Sequence, residues 1–225
     1  MPAESELRVA VGERVGQVSA VLVRPAEARW LLVLGHGAGA GMRHIFMETA
    51  ARELAAVGVA TLRYQFPYLE QRRRAPDPPG VLAATVRAAV REAARVASGL
   101  PLLAGGKSLG GRMTSTAASE QPLEGVCGLV FFGFPLHPPN RPGSKRAEHL
   151  ARVTVPMLFL QGTRDTLADL SLLRPVCETL GARATLHVVD TADHSFHVLK
   201  RSGKTDAEVL RGLAAAVAAW AERIV

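Results

Sequence analysis

Residues 105–111 read Gly-Gly-Lys-Ser-Leu-Gly-Gly, and inside them Gly106-Lys107-Ser108-Leu109-Gly110 is a G-x-S-x-G pattern. The pattern is short, so its context decides its weight. An apolar run at 100–104 precedes it and a stretch with helical character at 109–119 follows. A strand that turns sharply into a helix at a serine holds the hydroxyl up at the sheet edge, and flanking glycines allow that turn without a Cβ clash. The helix N-terminus then aims free N–H groups at a reacting oxygen. A serine hydroxyl is a weak nucleophile until a base takes its proton, and imidazole, with an ordinary pKa of about 6.5, can do so near neutral pH. His194, in Thr191-Ala192-Asp193-His194-Ser195-Phe196, follows the apolar run 184–189. Asp165, in Gln161-Gly162-Thr163-Arg164-Asp165, follows the run 155–160. A carboxylate on the second ring nitrogen fixes the tautomer and stabilises the imidazolium. Ser108, Asp165 and His194, each at the end of a strand and in that order, are the expected nucleophile, orienting acid and general base.

Each assignment has a rival. The Gly-Lys-Ser string could belong to a phosphate loop, but the required earlier glycine is Pro101. Asp169 could replace Asp165, although it lies inside the next segment. Asp193 adjoins His194 and is better suited to bracing the loop. His197 could replace His194 but stands farther along, at the edge of a more apolar stretch. A second glycine-rich loop, Gly35-His36-Gly37-Ala38-Gly39-Ala40-Gly41, follows the apolar run 30–34. Acyl transfer needs two N–H donors on the developing oxyanion. The amide after the nucleophile, Leu109, supplies one, and Ala38 is the expected second. His36 is expected to brace its loop. The seven histidines show no metal-ligand spacing such as H-E-x-x-H, so no metal and no cofactor are expected.

The elements that must position these residues can be read from periodicity. Short strands are expected at 7–11 and 17–23, joined by a turn near Gly12 and forming an antiparallel edge. Continuous apolar runs at 30–34, 59–64, 100–104, 126–132, 155–160 and 184–189 suit strands buried on both faces. Between them, 45–57, a stretch of about 18 residues after the Pro-rich 76–80, 109–119 and 171–180 read as helices. The last helix opens with a capping box, Thr205-Asp206-Ala207-Glu208, and buries Val209, Leu213, Val217 and Trp220. Apolar strands alternating with amphipathic helices predict an α/β fold, a mostly parallel sheet with helices on both faces, in one domain over 1–225.

Composition narrows the class. With 225 residues, 48% of them apolar and 5% aromatic, the chain can build a large core, mostly of Val, Leu and Ala. No run approaches the roughly 18 apolar residues that span a membrane, and the start lacks a secretory pattern, so a cytoplasmic protein is expected. Cys127 and Cys177 sit among apolar neighbours and are expected as buried free thiols. The net charge is +7, but the one basic cluster, Arg72-Arg73-Arg74, lies beside a Pro-rich loop without aromatic residues. A solvated loop and no specific nucleic-acid binding are expected.

These residues resemble the α/β-hydrolase superfamily, and most of all its small dienelactone-hydrolase-like members. A narrower resemblance is to small bacterial proteins with the string G-G-K-S-[LM]-G-G-R, here Gly105 to Arg112, with H-G-A-G at His36–Gly39, F-P-Y at Phe66–Tyr68 and P-L-H-P-P at Pro135–Pro139. The matched segments span residues 31–196. The resemblance implies an eight-stranded sheet and a serine-hydrolase triad carried over to Ser108, Asp165 and His194. It supplies no substrate. Relatives of this kind include hydrolases and a chromatin-complex subunit in animals, so a binding or scaffold role is an alternative. Gln65 departs from the acidic residue expected before Phe-Pro-Tyr.

The expected activity is hydrolysis of an ester or related acyl bond through an acyl-enzyme, with acyltransferase or thioesterase action as further alternatives. The segment between 132 and 155 is too short for a large cap, so an open site is expected. Phe66, Tyr68, Phe134, Leu136 and Phe196 are the expected wall for a small apolar acyl or aryl group. The oligomeric state is left open.

Overall fold

A computed structural model describes residues 4–97 and 99–225. Eight strands form one sheet in the order β1-β2-β4-β3-β5-β6-β7-β8. β1 (Glu4–Gly12) and β2 (Gly16–Val23) make the antiparallel edge. β2 also runs antiparallel to β4 (Val59–Tyr64). From β4 onward, β3 (Trp30–Gly35), β5 (Leu102–Lys107), β6 (Val126–Phe132), β7 (Met157–Gly162) and β8 (Ala184–Val189) are parallel.

Side-chain alternation along the central strands divides the core into two layers. Leu31, Val33, Leu129, Phe131, Met157 and Phe159 face α3 (Pro79–Val96), α4 (Leu109–Glu120) and α5 (Leu170–Leu180). Leu32, Leu34, Val130, Phe132, Leu158 and Leu160 face α1 (Ile45–Ala56) and α6 (Asp206–Ile224). Strands covered on both faces need apolar residues at every position, which is why they read as unbroken runs. A short helix, α2 (Pro67–Glu70), follows β4. A 3₁₀ segment, Lys145–Arg152, fills the connection between β6 and β7 in place of a cap. The Thr205–Glu208 capping box forms as expected, with the Glu208 carboxylate taking the Thr205 N–H at 2.7 Å.

Three strands differ from the sequence reading by more than one residue at an end, the first being β1, which runs over Glu4–Gly12 rather than 7–11. β5 runs over Leu102–Lys107 rather than 100–104, and β7 over Met157–Gly162 rather than 155–160. Prolines 101 and 156 cannot donate to a ladder, so both strands start later. Gly105 and Gly106, ahead of the serine turn, are strand residues instead. Gly105 pairs with Val130, and a Cβ on it would lie 1.9 Å from the Val130 carbonyl oxygen. Glycine in a strand marks a close backbone approach. Cys127 and Cys177 are free thiols as expected, but half-buried, one as the second residue of β6 and the other in the C-terminal half of α5. Among the described residues, no helix is long and apolar enough to cross a membrane.

Candidate active site

β5 ends at Lys107 and α4 begins at Leu109, which leaves Ser108 alone in the turn. Ser108 has φ 49° and ψ −110°, a conformation that L-residues rarely adopt and that marks strain held by the surroundings. Three glycines make the turn possible. A Cβ on Gly106 would lie 2.3 Å from the Gly35 carbonyl oxygen, and one on Gly110 would lie 2.2 Å from the same atom. β3, β5 and α4 therefore meet backbone to backbone.

His194 reaches Ser108 from the loop after β8. Its Nε2 is 2.9 Å from Ser108 Oγ, and its Nδ1 is 2.7 Å from Asp165 Oδ2. With the hydroxyl donating to Nε2, the ring proton lies on Nδ1 and is donated to the carboxylate. The loops carrying Asp165 and His194 are joined: the Arg164 N–H donates to the Ala192 carbonyl and the Thr191 N–H to Thr163 Oγ1. A Cβ on Gly162 would lie 2.3 Å from the Ala192 oxygen, so only glycine lets these loops close together.

Asp165 is buried, and burial alone would raise its carboxyl pKa. Its contact with His194, the Leu167 N–H and the Gln161 amide together hold it below the usual carboxylate value. The Gln161 side chain also accepts from the Phe134 N–H, so it is fixed at both ends. Neither Gln161 nor Leu167 stands out in the sequence, because a strand-end glutamine has no pattern of its own.

The rival residues have other work. Asp169 caps α5 by accepting from the Ser171 N–H. Asp193 accepts from the Ser195 and His197 N–H groups. His197 is exposed and pairs with Asp206. His36 is buried, accepts the Phe66 N–H at Nε2 and bonds the Gly37 carbonyl through Nδ1; burial draws it down to about 4 against that last bond. It stays neutral and braces the loop, as expected. Gln65 accepts from the Met42 N–H.

A cavity of about 740 Å³ opens over Ser108 and His194. Ala38 is in its wall, and Leu109, as the first residue of α4, has an amide with no intrahelical acceptor. The five side chains expected to line the cavity do not. Phe66, Tyr68, Phe134, Leu136 and Phe196 are all at most 1% exposed. They pack inward because the core continues past the strand ends: Tyr68 accepts from the Gly39 N–H, and Phe134 lies edge-on to Phe131 and Phe159. The apolar wall comes instead from Ile45, Phe46 and Met47 of α1, Leu167, and Ala207 and Leu210 of α6. Ile45 is 70% exposed. Three consecutive apolar residues at the start of α1 cannot all face the core, and that was the available signal.

A second serine–histidine contact lies deeper in α4. Ser115 Oγ is 2.8 Å from His149 Nε2 and also donates to the Arg112 carbonyl. Among the described residues, no group of three or more His, Cys, Asp and Glu could hold a metal ion.

The known proteins that this chain resembles agree with the fold. Over 100% of this chain and 99% of the other, it superposes on a dienelactone hydrolase from Anabaena variabilis with a TM-score of 0.79 at 24% identity. It superposes on a lid-less α/β serine hydrolase from Xanthomonas campestris with a TM-score of 0.72 at 21% identity, covering 94% and 91% of the two chains. For the esterase domain of a Rhodothermus marinus protein the values are 0.73 and 17%, covering 98% of each. Residues 28–222 match the sequence pattern of the alpha/beta hydrolase domain family. The chain belongs to that family.

Proposed function

We propose that this protein is a single-domain serine hydrolase that cleaves an ester or related acyl bond through an acyl-enzyme. One observation carries the reading: an unbroken hydrogen-bonded line from Asp165 through His194 to Ser108, ending under an open cavity. In the first step Ser108 Oγ attacks the substrate carbonyl while His194 Nε2 takes its proton. Asp165 holds the ring and stabilises the imidazolium. The Ala38 and Leu109 amides receive the oxyanion. His194 then returns the proton to the leaving alcohol, and a water molecule repeats the sequence to free the acid. The wall from Ile45 to Met47 with Leu167 and Leu210 suits a small apolar acyl or aryl group. The dienelactone hydrolase and the esterase domain among the structural neighbours are in keeping with a small ester substrate.

The test is covalent labelling by a fluorophosphonate probe, followed by turnover of p-nitrophenyl esters of graded chain length. Stoichiometric labelling at Ser108 with turnover of short esters is the expected result. A folded protein that neither labels nor hydrolyses would be a scaffold on a hydrolase fold.

A further inference from the structure

Lys107 stands one position before the proposed nucleophile, at the end of β5. Its side chain is buried, and among the described residues its hydrogen-bond acceptor is the backbone carbonyl of His194 rather than a carboxylate. The ammonium also lies 5.7 Å from the Phe46 ring centre and 5.6 Å from that of Phe196, and these two rings are stacked on each other. Gly133 clears the space: a Cβ there would lie 3.1 Å from Lys107 Nζ and 3.3 Å from His194 Cε1 and Nδ1. The ammonium and the imidazole are thus close neighbours over one glycine. Burying a cation without a carboxylate is costly, and an apolar side chain of similar length would fill the space without that cost.

We propose that Lys107 is a positioning residue for the base: clamped to the His194 carbonyl and boxed by Phe46 and Phe196, it ties the β8–α6 loop to the nucleophile's own strand. The inference rests on the reading of His194 as the base. The tethered loop has reason to relax, because Thr191 and Phe196 are both held at positive φ, 57° and 64°. The clamp runs from Lys107, the last residue of β5 and the neighbour of Ser108, so the distance it fixes is the one between base and nucleophile.

The charged groups around Lys107 are Asp165 on the β7–α5 loop and Asp193 on the β8–α6 loop, which also carries the titratable His194. His44 and Arg52 from the α1 side and Asp206 of α6 line the same cavity, and Asp206 is engaged with His197. Burial draws Lys107 down to about 8, against the attraction of Asp165 and Asp193. Below that pH the ammonium makes a charge-assisted bond. As pH rises through it, the amine loses its charge and the bond weakens.

Two measurements test the role, and the first needs no hydrolysis. In Ser108→Ala protein, the His194 Cε1–H resonance is followed by NMR from about pH 6 to about pH 10. An inflection near pH 8 is expected, and it should vanish when Lys107→Met is added. The second measurement is kinetic, on p-nitrophenyl acetate. Lys107→Met should lower kcat about tenfold with KM held within about twofold, and should remove the alkaline fall in kcat. Aminoethylation of Lys107→Cys, in a Cys127→Ser, Cys177→Ser background, should restore kcat. If Lys107→Met fails to fold, the titration of the Ser108→Ala protein still decides. No inflection on His194 near pH 8, or a Lys107→Met enzyme with normal kcat and its alkaline fall intact, overturns the role. Absence of any ester turnover would instead overturn the hydrolase reading, leaving the NMR result to stand or fall separately.

Discussion

Two serine–histidine pairs have their serines seven residues apart, one in the turn before α4 and one within it, and distance does not tell them apart: 2.9 Å at Ser108–His194 and 2.8 Å at Ser115–His149. What differs is everything around them. Ser108 sits in a strained turn beneath a cavity, whereas Ser115 is fully buried inside the helix and gives its proton to the Arg112 carbonyl. His194 has the Asp165 carboxylate on its second nitrogen, which fixes the tautomer that leaves Nε2 to accept from Ser108. His149 has arginines nearby and, among the described residues, no carboxylate on its ring. Burial first, and then the Arg112 and Arg152 charges, draw it down to about 4 despite a bond to the Arg146 backbone. A base must be able to hold the proton it takes, and His149 is held neutral. A hydrogen bond alone therefore identifies no catalytic pair; a carboxylate behind the ring and access for a substrate do.

The comparison can be broken most directly by removing each serine. Ser108→Ala is expected to abolish fluorophosphonate labelling and to lower ester turnover by about 10⁶-fold, the scale of nucleophile loss in a serine hydrolase. Ser115→Ala should label as wild type. Labelling that disappears with Ser115 and survives without Ser108 would reverse the assignment.

Next in size is Asp165→Asn. The amide can stabilise the wrong tautomer of His194, so kcat should fall by about 10⁴ while the fold is kept. A near-normal enzyme would mean that the acid is elsewhere.

The inner pair should matter to stability alone. Ser115→Ala leaves the His149 ring nitrogen without its partner, at a cost of roughly 1–3 kcal/mol in denaturant unfolding. Because His149 and His36 are each held at about 4, below the ordinary histidine value, the unfolded chain binds more protons than the folded one between about pH 6.5 and pH 4. Folding stability is thus complete above the upper value and declines as pH falls through that window. His149→Gln should flatten the decline seen between urea midpoints at neutral pH and at about pH 5, leaving the share due to His36. An equally steep decline in the variant would mean that His149 titrates normally.

The sequence made the outer pair legible and hid the inner one, for physical reasons. Ser108, Asp165 and His194 each end an apolar run, and a parallel sheet gathers its strand ends at one edge. Their meeting follows from topology that hydrophobic runs reveal. The cavity wall follows from how α1 and α6 lie across that edge, which is tertiary packing. Aromatic residues in loops were therefore a poor guide: Phe66 and Phe134 continue the core, while Phe46, on a helix, reaches the cavity. The ends of β5 and β7 shifted by three and two residues because glycine means both turn and close approach, and only the neighbouring strand decides which.

The contact among Gly35, Gly106 and Gly110 has a consequence for how such a protein can change over generations. Where backbone lies on backbone, no side chain elsewhere can be trimmed to make room for a methyl group, so a substitution at Gly106 or Gly110 has no compensating partner. The elbow is inherited whole or lost. The cavity wall is under no such restriction, since Ile45, Phe46 and Leu210 come from helices that can be resurfaced without touching β5 or α4. Selection on this chain can therefore reshape the cavity by drift in α1 and α6, while the serine turn stays as it is.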